Sequence, residues 1–255
     1  MQSGLSAELM LARPELGLRV SLHDTASLRI LGVAIDDGGV NDGGKPSAPR
    51  APLEAYTRGT DLVVTYPRSS DGVRTQVYWH APGVDQSEPM PPLEIDVQVS
   101  VQTDLLESHP TIHVFAQLLA TEVFQCAGTD PEEYRQLQPR DEIWLPPPEE
   151  QCVAGVIFRL ANTETTYAQL LHPSDVLIRT KPGSEAPAHQ ILLRSEPHAQ
   201  GAQYSCTCGL FFETLEKGVI RRARVRGVFV PRENDLEAVA ACAERLVAQR
   251  LPLTT

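Results

Sequence analysis

The chain has 255 residues, 42% of them hydrophobic and 22% charged, which is an ordinary composition for a globular protein. The 33 acidic and 22 basic residues give a formal net charge of −11. This charge argues against nucleic acid as a partner of the surface as a whole, because polyanions are attracted by clustered positive charge. No apolar run approaches the ~20 residues that span a bilayer, so we expect no membrane partner.

The first residues lack a basic leader followed by a long apolar stretch, so we expect no secretory signal and a cytoplasmic protein. Five cysteines, an odd number, are then expected to be reduced thiols. Cys206 and Cys208 would share one face of a predicted strand. No second pair of ligands accompanies them, so we predict buried thiols rather than a zinc site, and no metal or cofactor.

Strict alternation of apolar and polar residues predicts strands along most of the chain. The clearest is Leu93–Thr103, and residues 73–81 repeat its pattern. The other predicted strands cover residues 17–22, 28–35, 61–66, 111–120, 152–161, 176–180, 189–195, 203–215 and 219–230. About eleven strands with turn residues between them and no βαβ pattern predict an all-β fold: one large antiparallel β-sandwich domain over residues 1–255.

One C-terminal segment, residues 235–250, has a different period. Its apolar residues recur at three- and four-residue spacing, which predicts an amphipathic helix packed on the sandwich. They are Leu236, Val239, Ala240, Ala243, Leu246 and Val247. Asn234 is the predicted N-cap, with Glu237 completing a capping box. A second, short helix is predicted over residues 131–137.

The polar face of the 73–81 strand carries Arg74, Gln76, Tyr78 and His80. With Trp79 adjacent, it offers an aromatic surface beside hydrogen-bonding side chains, as a sugar site does. The polar face of Leu93–Thr103 could lie alongside it. A solvated sheet face explains the same pattern equally simply.

Two further groups of charged residues lie near the C-terminal end of the predicted sandwich. Glu213 and Glu216 could be paired carboxylates for acid–base chemistry, or solvated residues of a hairpin turn. Alternation places Arg222, Arg224 and Arg226 on one strand face, where they could hold an anion. They could equally be solvated and paired across to acidic neighbours.

Four segments carry a family resemblance: TDLVVTYP (60–67), VRTQVYWHA (73–81), LEIDVQVSVQTDL (93–105) and LEKGVIRRARVRG (215–227). Their pattern resembles the galactose-mutarotase-like supersandwich proteins. This resemblance implies two large antiparallel sheets with a concave sugar-binding face. In epimerase members a histidine acid and a glutamate base act together. Here His80 or His113, with Glu213 or Glu216, could take those positions, although the epimerase-type Asn-His-x-x-x-Asn context is missing.

Two functional hypotheses follow. The first is a carbohydrate-handling protein, related to the epimerases, that binds a sugar or glycan on a concave polar sheet face. Its predicted catalytic residues are His80, Glu213 and Glu216. Its predicted ligand-binding residues are Arg74, Gln76, Tyr78, Arg222 and Arg224. The second is a non-catalytic β-sandwich that binds another macromolecule or has a structural role, as the absence of a catalytic motif would allow. The sequence leaves open whether any reaction is catalysed and which oligomeric state the protein adopts.

Overall fold

A computed structural model describes residues 11–13, 18–20, 29–36, 52–59, 61–70, 72–81, 92–140, 142–145, 152–175, 191–211 and 214–249. Within these ranges the chain forms strands β1–β17 and one α-helix, α1. The first nine strands are β1 Leu11–Arg13, β2 Leu18–Val20, β3 Arg29–Asp36, β4 Glu54–Arg58, β5 Asp61–Thr65, β6 Val73–His80, β7 Leu93–Thr103, β8 Glu107–Ser108 and β9 Thr111–Ala127. The remaining elements are β10 Arg135–Leu137, β11 Glu142–Leu145, β12 Ala154–Leu160, β13 Thr165–Leu171, β14 Ile191–His198, β15 Gly201–Leu210, β16 Leu215–Glu216, β17 Ile220–Pro231 and α1 Asp235–Ala248.

Thirteen of the described strands belong to one hydrogen-bonded sheet with antiparallel pairing. Its order is β11-β14-β15-β9-β12-β13-β17-β7-β6-β5-β4, with β3 and β10 also pairing with β9. The first half of β9 lies between β3 and β15, and its second half lies between β12 and β10. The long strand β9 therefore joins two layers of a folded sheet.

These two layers face each other across the main hydrophobic core. The first layer contains β4–β7, β17, β13 and β12, and the second contains β3, β15, β14 and β11. Two hydrogen bonds cross between strands that are not neighbours in the sheet. The Trp79 indole donates to the carbonyl of Leu31 (3.0 Å), and the Gln169 amide donates to the thiol of Cys208 (2.9 Å). The predicted all-β sandwich with a C-terminal helix is confirmed.

Period-two alternation sets which side chains enter this core. On β6 and β7 the odd-numbered side chains are buried between the layers, and Val77, Val97 and Val99 are completely inaccessible. Each such side chain contributes about 1.5–3 kcal/mol by leaving water. Cys206 and Cys208 lie on one face and are buried in the same core, as predicted. The five cysteines form no disulfide.

Helix α1 covers the outer face of the first layer. Its buried side chains form a second apolar cluster with strands β12, β13 and β17, in which Leu246 packs with Val228 and Val230. Cys242 takes a place in this apolar stripe, whereas Val247, predicted within it, is exposed. No described helix is long and apolar enough to cross a membrane.

The N-terminus of α1 differs from the predicted capping box. Asn234 has φ 55° and its side chain makes no capping hydrogen bond. The first turn is instead held by the buried carboxylate of Asp235. It accepts hydrogen bonds from the Arg159 guanidinium (2.8 and 2.9 Å) and from the Thr166 hydroxyl (2.7 Å). Tertiary hydrogen bonds thus replace the local cap.

Two other predicted elements need correction. The helix predicted over residues 131–137 is one 3₁₀ turn, Pro131–Glu133, followed by strand β10, which pairs with β9. A short isolated helix has a costly nucleus, and the exposed edge of β9 offers this segment hydrogen bonds. Strand β13 was not predicted, because both of its faces are buried and its sequence does not alternate. The predicted strand over residues 176–180 lies outside the described residues.

Candidate functional site

The side chains of β5, β6, β7 and β17 that point away from the main core form one continuous surface, which we call the outer polar face. Residues directly opposite each other in an antiparallel sheet share a face. His80 lies opposite both Asp61 and Asp96, and Asp96 lies opposite Arg226. The adjacent cross-strand rows contain these polar residues: Tyr78, Gln98 and Arg224; Gln76, Ser100 and Arg222; Arg74 and Gln102. The two predicted polar strand faces therefore do lie side by side.

At one end of the outer polar face, Asp61 contacts the His80 ring, which lies beside the Tyr78 ring. The His80 Nδ1 atom lies 2.6 Å from Asp61 Oδ1. The Tyr78 and His80 rings are nearly parallel, at an interplanar angle of 11°, with centroids 6.0 Å apart. Both rings are half-buried, so part of each is open to solvent.

The protonation of this cluster is set by its hydrogen bonds. Burial raises the pKa of Asp61, but hydrogen bonds from His80 and Tyr78 oppose it, and the net pKa lies below the ordinary value. Burial, together with the hydrogen bond to Asp61, raises the pKa of Tyr78 to about 12. At neutral pH, Asp61 is therefore a carboxylate and Tyr78 a hydrogen-bond donor.

The other end of the outer polar face is basic. Arg74 and Gln76 are exposed on β6, and the Gln76 amide donates to the Thr65 hydroxyl at 3.3 Å. Arg222 is half-buried opposite Ser100. Its Nε atom is buried and has no hydrogen-bond partner among the described residues.

Arg224 and Arg226 lie under the C-terminal end of α1. Arg224 is 3% exposed, and its guanidinium donates to the carbonyls of Leu246 and Gln249 and to the Gln249 side chain. Arg226 is fully buried and donates to Asp96 twice, at 2.7 and 2.8 Å, and to Glu94 at 2.5 Å. This corrects the assignment of Arg224 as a ligand-binding residue, because the chain itself occupies its guanidinium.

Asp175 packs beneath this arginine cluster, where its carboxylate accepts the backbone N–H of Arg224 at 2.8 Å. Burial raises the pKa of Asp175 to about 6, against the opposing effects of that hydrogen bond and of the Arg224 charge. The folded protein therefore binds this proton more tightly than the unfolded chain. Stability is lost as the pH rises from about 4 to about 6, and the loss persists above that range.

We predict that Asp175→Asn removes this pH dependence. The free energy of unfolding of the variant, relative to wild type, should rise by on the order of 2 kcal/mol between pH 4 and pH 7. Urea unfolding at several pH values measures this difference. Glu164→Gln, at an exposed carboxylate, is the control. A difference for Asp175→Asn that stays constant with pH would contradict the prediction.

The structure does not bring Glu216 to His80. Glu216 is exposed on β16, which pairs with β8, and the next turn is bonded to the carbonyl of Thr103. His80 lies opposite Asp96, which is seven residues from Thr103 along β7. At the rise per residue of a strand, this separation is roughly 20 Å. This exceeds the roughly 5–9 Å over which two groups act on one sugar ring. Glu213 lies outside the described residues, and His113 lies on β9 in the second layer.

Sequence reasoning missed the carboxylate that does contact His80. Asp61 is the first residue of β5, in which Asp61, Val63 and Thr65 lie on the outer polar face. Alternation could therefore have placed Asp61 on a polar face. Only the pairing of β5 with β6 shows that this face is the one that carries His80. Within the described ranges, no group of three His, Cys, Asp or Glu side chains is arranged to hold a metal ion.

The architecture defines the class of protein as an antiparallel β-sandwich covered by one helix. No protein-family model and no curated protein matches the sequence. Solved structures with some likeness include a protein assigned as an aldose 1-epimerase from Escherichia coli K12. It is 12% identical, the alignment covers 70% of this chain and 68% of that one, and the TM-score is 0.36.

Two GH36 α-galactosidases from Geobacillus stearothermophilus are also similar. AgaB is 10% identical over 80% of this chain and 28% of its own, with a TM-score of 0.36. A variant of AgaA in complex with raffinose is 10% identical over 84% of this chain and 29% of its own, with a TM-score of 0.34. The chain thus spans less than a third of either enzyme. Similarity at this level assigns neither a family nor a function, and the galactose-mutarotase-like resemblance stays a prediction.

Proposed function

We propose that the protein binds a saccharide on the outer polar face, with Tyr78 and His80 as the aromatic contact surface. The observation that carries this proposal is the pair of nearly parallel, half-buried rings, 6.0 Å apart, with the His80 ring hydrogen-bonded to Asp61. A sugar ring has apolar C–H faces and a rim of hydroxyl groups, so it pairs well with aromatic carbon bordered by polar atoms.

Preorganisation supports this reading. Because His80 Nδ1 lies 2.6 Å from the Asp61 carboxylate, the His80 ring does not have to be immobilised when a ligand arrives. Ordering a free side chain costs about 0.5–1.5 kcal/mol at an interface. Gln76, Gln98 and Ser100 lie in the next rows of the same face. They add amide and hydroxyl groups that can bond sugar hydroxyls.

The alternative hypothesis, a partner-binding sandwich, has one specific observation in its favour. Four large apolar side chains are exposed where β7 and β17 meet their turns: Leu105, Leu106, Val219 and Ile220. Exposed apolar groups that lie close together are typical of protein interaction sites. Ile220 lies opposite Gln102, in the same row as Arg74 and four residues along the face from the row of Tyr78, so the two hypotheses concern opposite ends of one face.

The proposal predicts that Tyr78→Ala weakens saccharide binding about tenfold, since a well-placed aromatic contact contributes about 1–1.5 kcal/mol. A panel of soluble neutral and acidic oligosaccharides is screened by thermal unfolding. A ligand at a hundredfold excess over its Kd stabilises the fold by about 2.7 kcal/mol. Titration calorimetry of the best ligand then gives affinities for wild type and variant.

Trp144→Ala is the matched control, because Trp144 is an exposed aromatic residue on β11 in the second layer. It should bind the best ligand as wild type does. The proposal is wrong if no oligosaccharide stabilises the wild-type protein, or if Tyr78→Ala binds the best ligand unchanged. Binding of a protein partner that depends on Leu106 but not on Tyr78 would favour the alternative hypothesis.

A further inference from the structure

We infer that the saccharide is acidic, and that its carboxylate or sulfate group binds between Arg74 and Arg222. This inference rests on the proposed function, because it concerns the same face. It adds the chemical class of the ligand and a second subsite to the aromatic contact surface at Tyr78 and His80.

The first observation is that these two arginines have no acidic partner among the described residues. Acidic residues outnumber basic ones by 33 to 22 in this chain, and the neighbouring Arg226 is paired with both Glu94 and Asp96. Neither Arg74 nor Arg222 forms an ion pair within the described ranges. The residues between them in the sheet, Gln102 and Ser100, are neutral.

The second observation is the orphaned donor of Arg222. Its Nε atom is buried, and no acceptor contacts it in the described part of the chain. A buried N–H without a partner is unfavourable, and a carboxylate or sulfate oxygen would satisfy it once the half-buried side chain turns toward the ligand. Arginine binds such groups through two parallel N–H donors, and partial burial strengthens the interaction by lowering the local dielectric constant.

The spacing on the sheet suits one extended ligand. Arg222 lies in the same cross-strand row as Gln76, two strands away. The row of Tyr78 lies on one side of this row, and the row of Arg74 lies on the other side. Standard strand dimensions place the Cα atoms of Tyr78, Arg74 and Arg222 about 12–13 Å apart in a triangle. Long arginine side chains from two corners can reach a common anionic group, while an adjoining sugar ring contacts the third corner.

The distribution of charge along the outer polar face also favours an acidic ligand. On β6, β7 and β17 the acidic residues, Glu94 and Asp96, lie in the rows near His80 and are bonded to Arg226 and Arg245. The arginines without acidic partners lie at the opposite end of the face. An oligosaccharide lying along β6 would therefore meet the aromatic rings at one end and positive charge at the other.

The experiment uses matched acidic and neutral probes of the same chain length. Hexagalacturonate is compared with its methyl-esterified form, and sulfated isomaltohexaose with isomaltohexaose, by titration calorimetry at about 50 mM and about 500 mM NaCl. The full-length wild type is compared with Arg74→Gln, Arg222→Gln, Arg222→Lys and Tyr78→Ala. Arg135→Gln, at an exposed arginine on β10, is the matched control.

We expect at least one acidic probe to bind about tenfold or more tightly than its neutral counterpart at low salt, with a smaller ratio at high salt. The probe pair that shows this ratio distinguishes carboxylate from sulfate. Arg74→Gln and Arg222→Gln should bring the ratio close to one, chiefly by weakening the binding of the acidic probe. Arg222→Lys should restore only part of it, because lysine lacks the planar fork. Tyr78→Ala should weaken both members of the pair.

Equal binding of the acidic and neutral probes by wild type would overturn this inference while leaving the proposed function intact. An acidic preference that survives in both Arg74→Gln and Arg222→Gln would overturn it as well. If wild type binds no probe of either kind, the proposed function fails and the inference fails with it. Arg74 is exposed, so Arg74→Gln tests the subsite even if the half-buried Arg222 tolerates no substitution.

Discussion

Replacing Arg226 with alanine should destabilise the protein by about 3–5 kcal/mol, the cost of leaving a buried charge without its partner. Arg226 is fully buried on β17 and donates to both carboxylate oxygens of Asp96 and to Glu94. Its Nη2 also donates to the Gln249 side chain at 2.6 Å. Alanine would remove all four hydrogen bonds and leave two carboxylates close together under α1.

Urea unfolding gives the free energies that test this. Arg222→Ala is the matched control, because Arg222 lies on the same face of β17 and pairs with no acidic residue that the structure describes. It should cost less than about 1 kcal/mol. The double variant Arg226→Met, Asp96→Leu should recover much of the loss, since well-packed apolar residues can replace a buried ion pair. A loss below about 1 kcal/mol for Arg226→Ala would show that the network is not a major contribution to stability.

Leu246→Ala should also be strongly destabilising, by about 2–5 kcal/mol, as for other large-to-small changes in a core. Leu246 is fully buried where α1 packs on the first layer, in the cluster that contains Val228 and Val230. The substitution removes apolar contacts and leaves a cavity. The backbone carbonyl that accepts a hydrogen bond from Arg224 is retained.

The neighbouring Val247 supplies the control, because it is 43% exposed on the same turn of the helix. Val247→Ala should change the free energy of unfolding by less than about 0.5 kcal/mol, the usual range at a surface position. Comparable losses for both variants would mean that α1 does not present one apolar stripe to the sheet. A loss below 0.5 kcal/mol for Leu246→Ala would instead indicate that the stripe is free to bind a partner.

Alternation alone was enough to predict which side chains of β6, β7 and β17 face the core. Successive side chains of a strand point to opposite faces, so each one faces either the core or the outside. Val97 and Arg226 could therefore be assigned to opposite faces before any strand pairing was known. It could not reveal β13, whose buried faces contact the main core through Tyr167 and α1 through Leu170. A strand covered on both sides has no polar face to mark its period.

The candidate site was only partly predictable, because register and covering elements are set by distant parts of the chain. Arg224 is enclosed because the chain near residue 249 lies across the sheet and accepts its hydrogen bonds. The sequence around the arginines does not indicate this contact. The separation of Glu216 from His80 depends on the pairing of β7 with β17. The local N-cap prediction at Asn234 was wrong because Arg159, 76 residues from Asp235, supplies the partner.

The shared strand β9 has a consequence for how the protein folds. Because β9 pairs with β15 over one half and with β12 over the other, the two layers cannot be joined into one sheet before this strand is placed. β12 follows β9 closely in sequence, but β15 lies some 80 residues beyond it, and β17 must reach back across more than 100 residues to pair with β7. Such high contact order is typical of slow folding. Once β9 is in place, opening one layer disturbs a strand that the other layer also pairs with, so we expect the two layers to unfold as one cooperative unit.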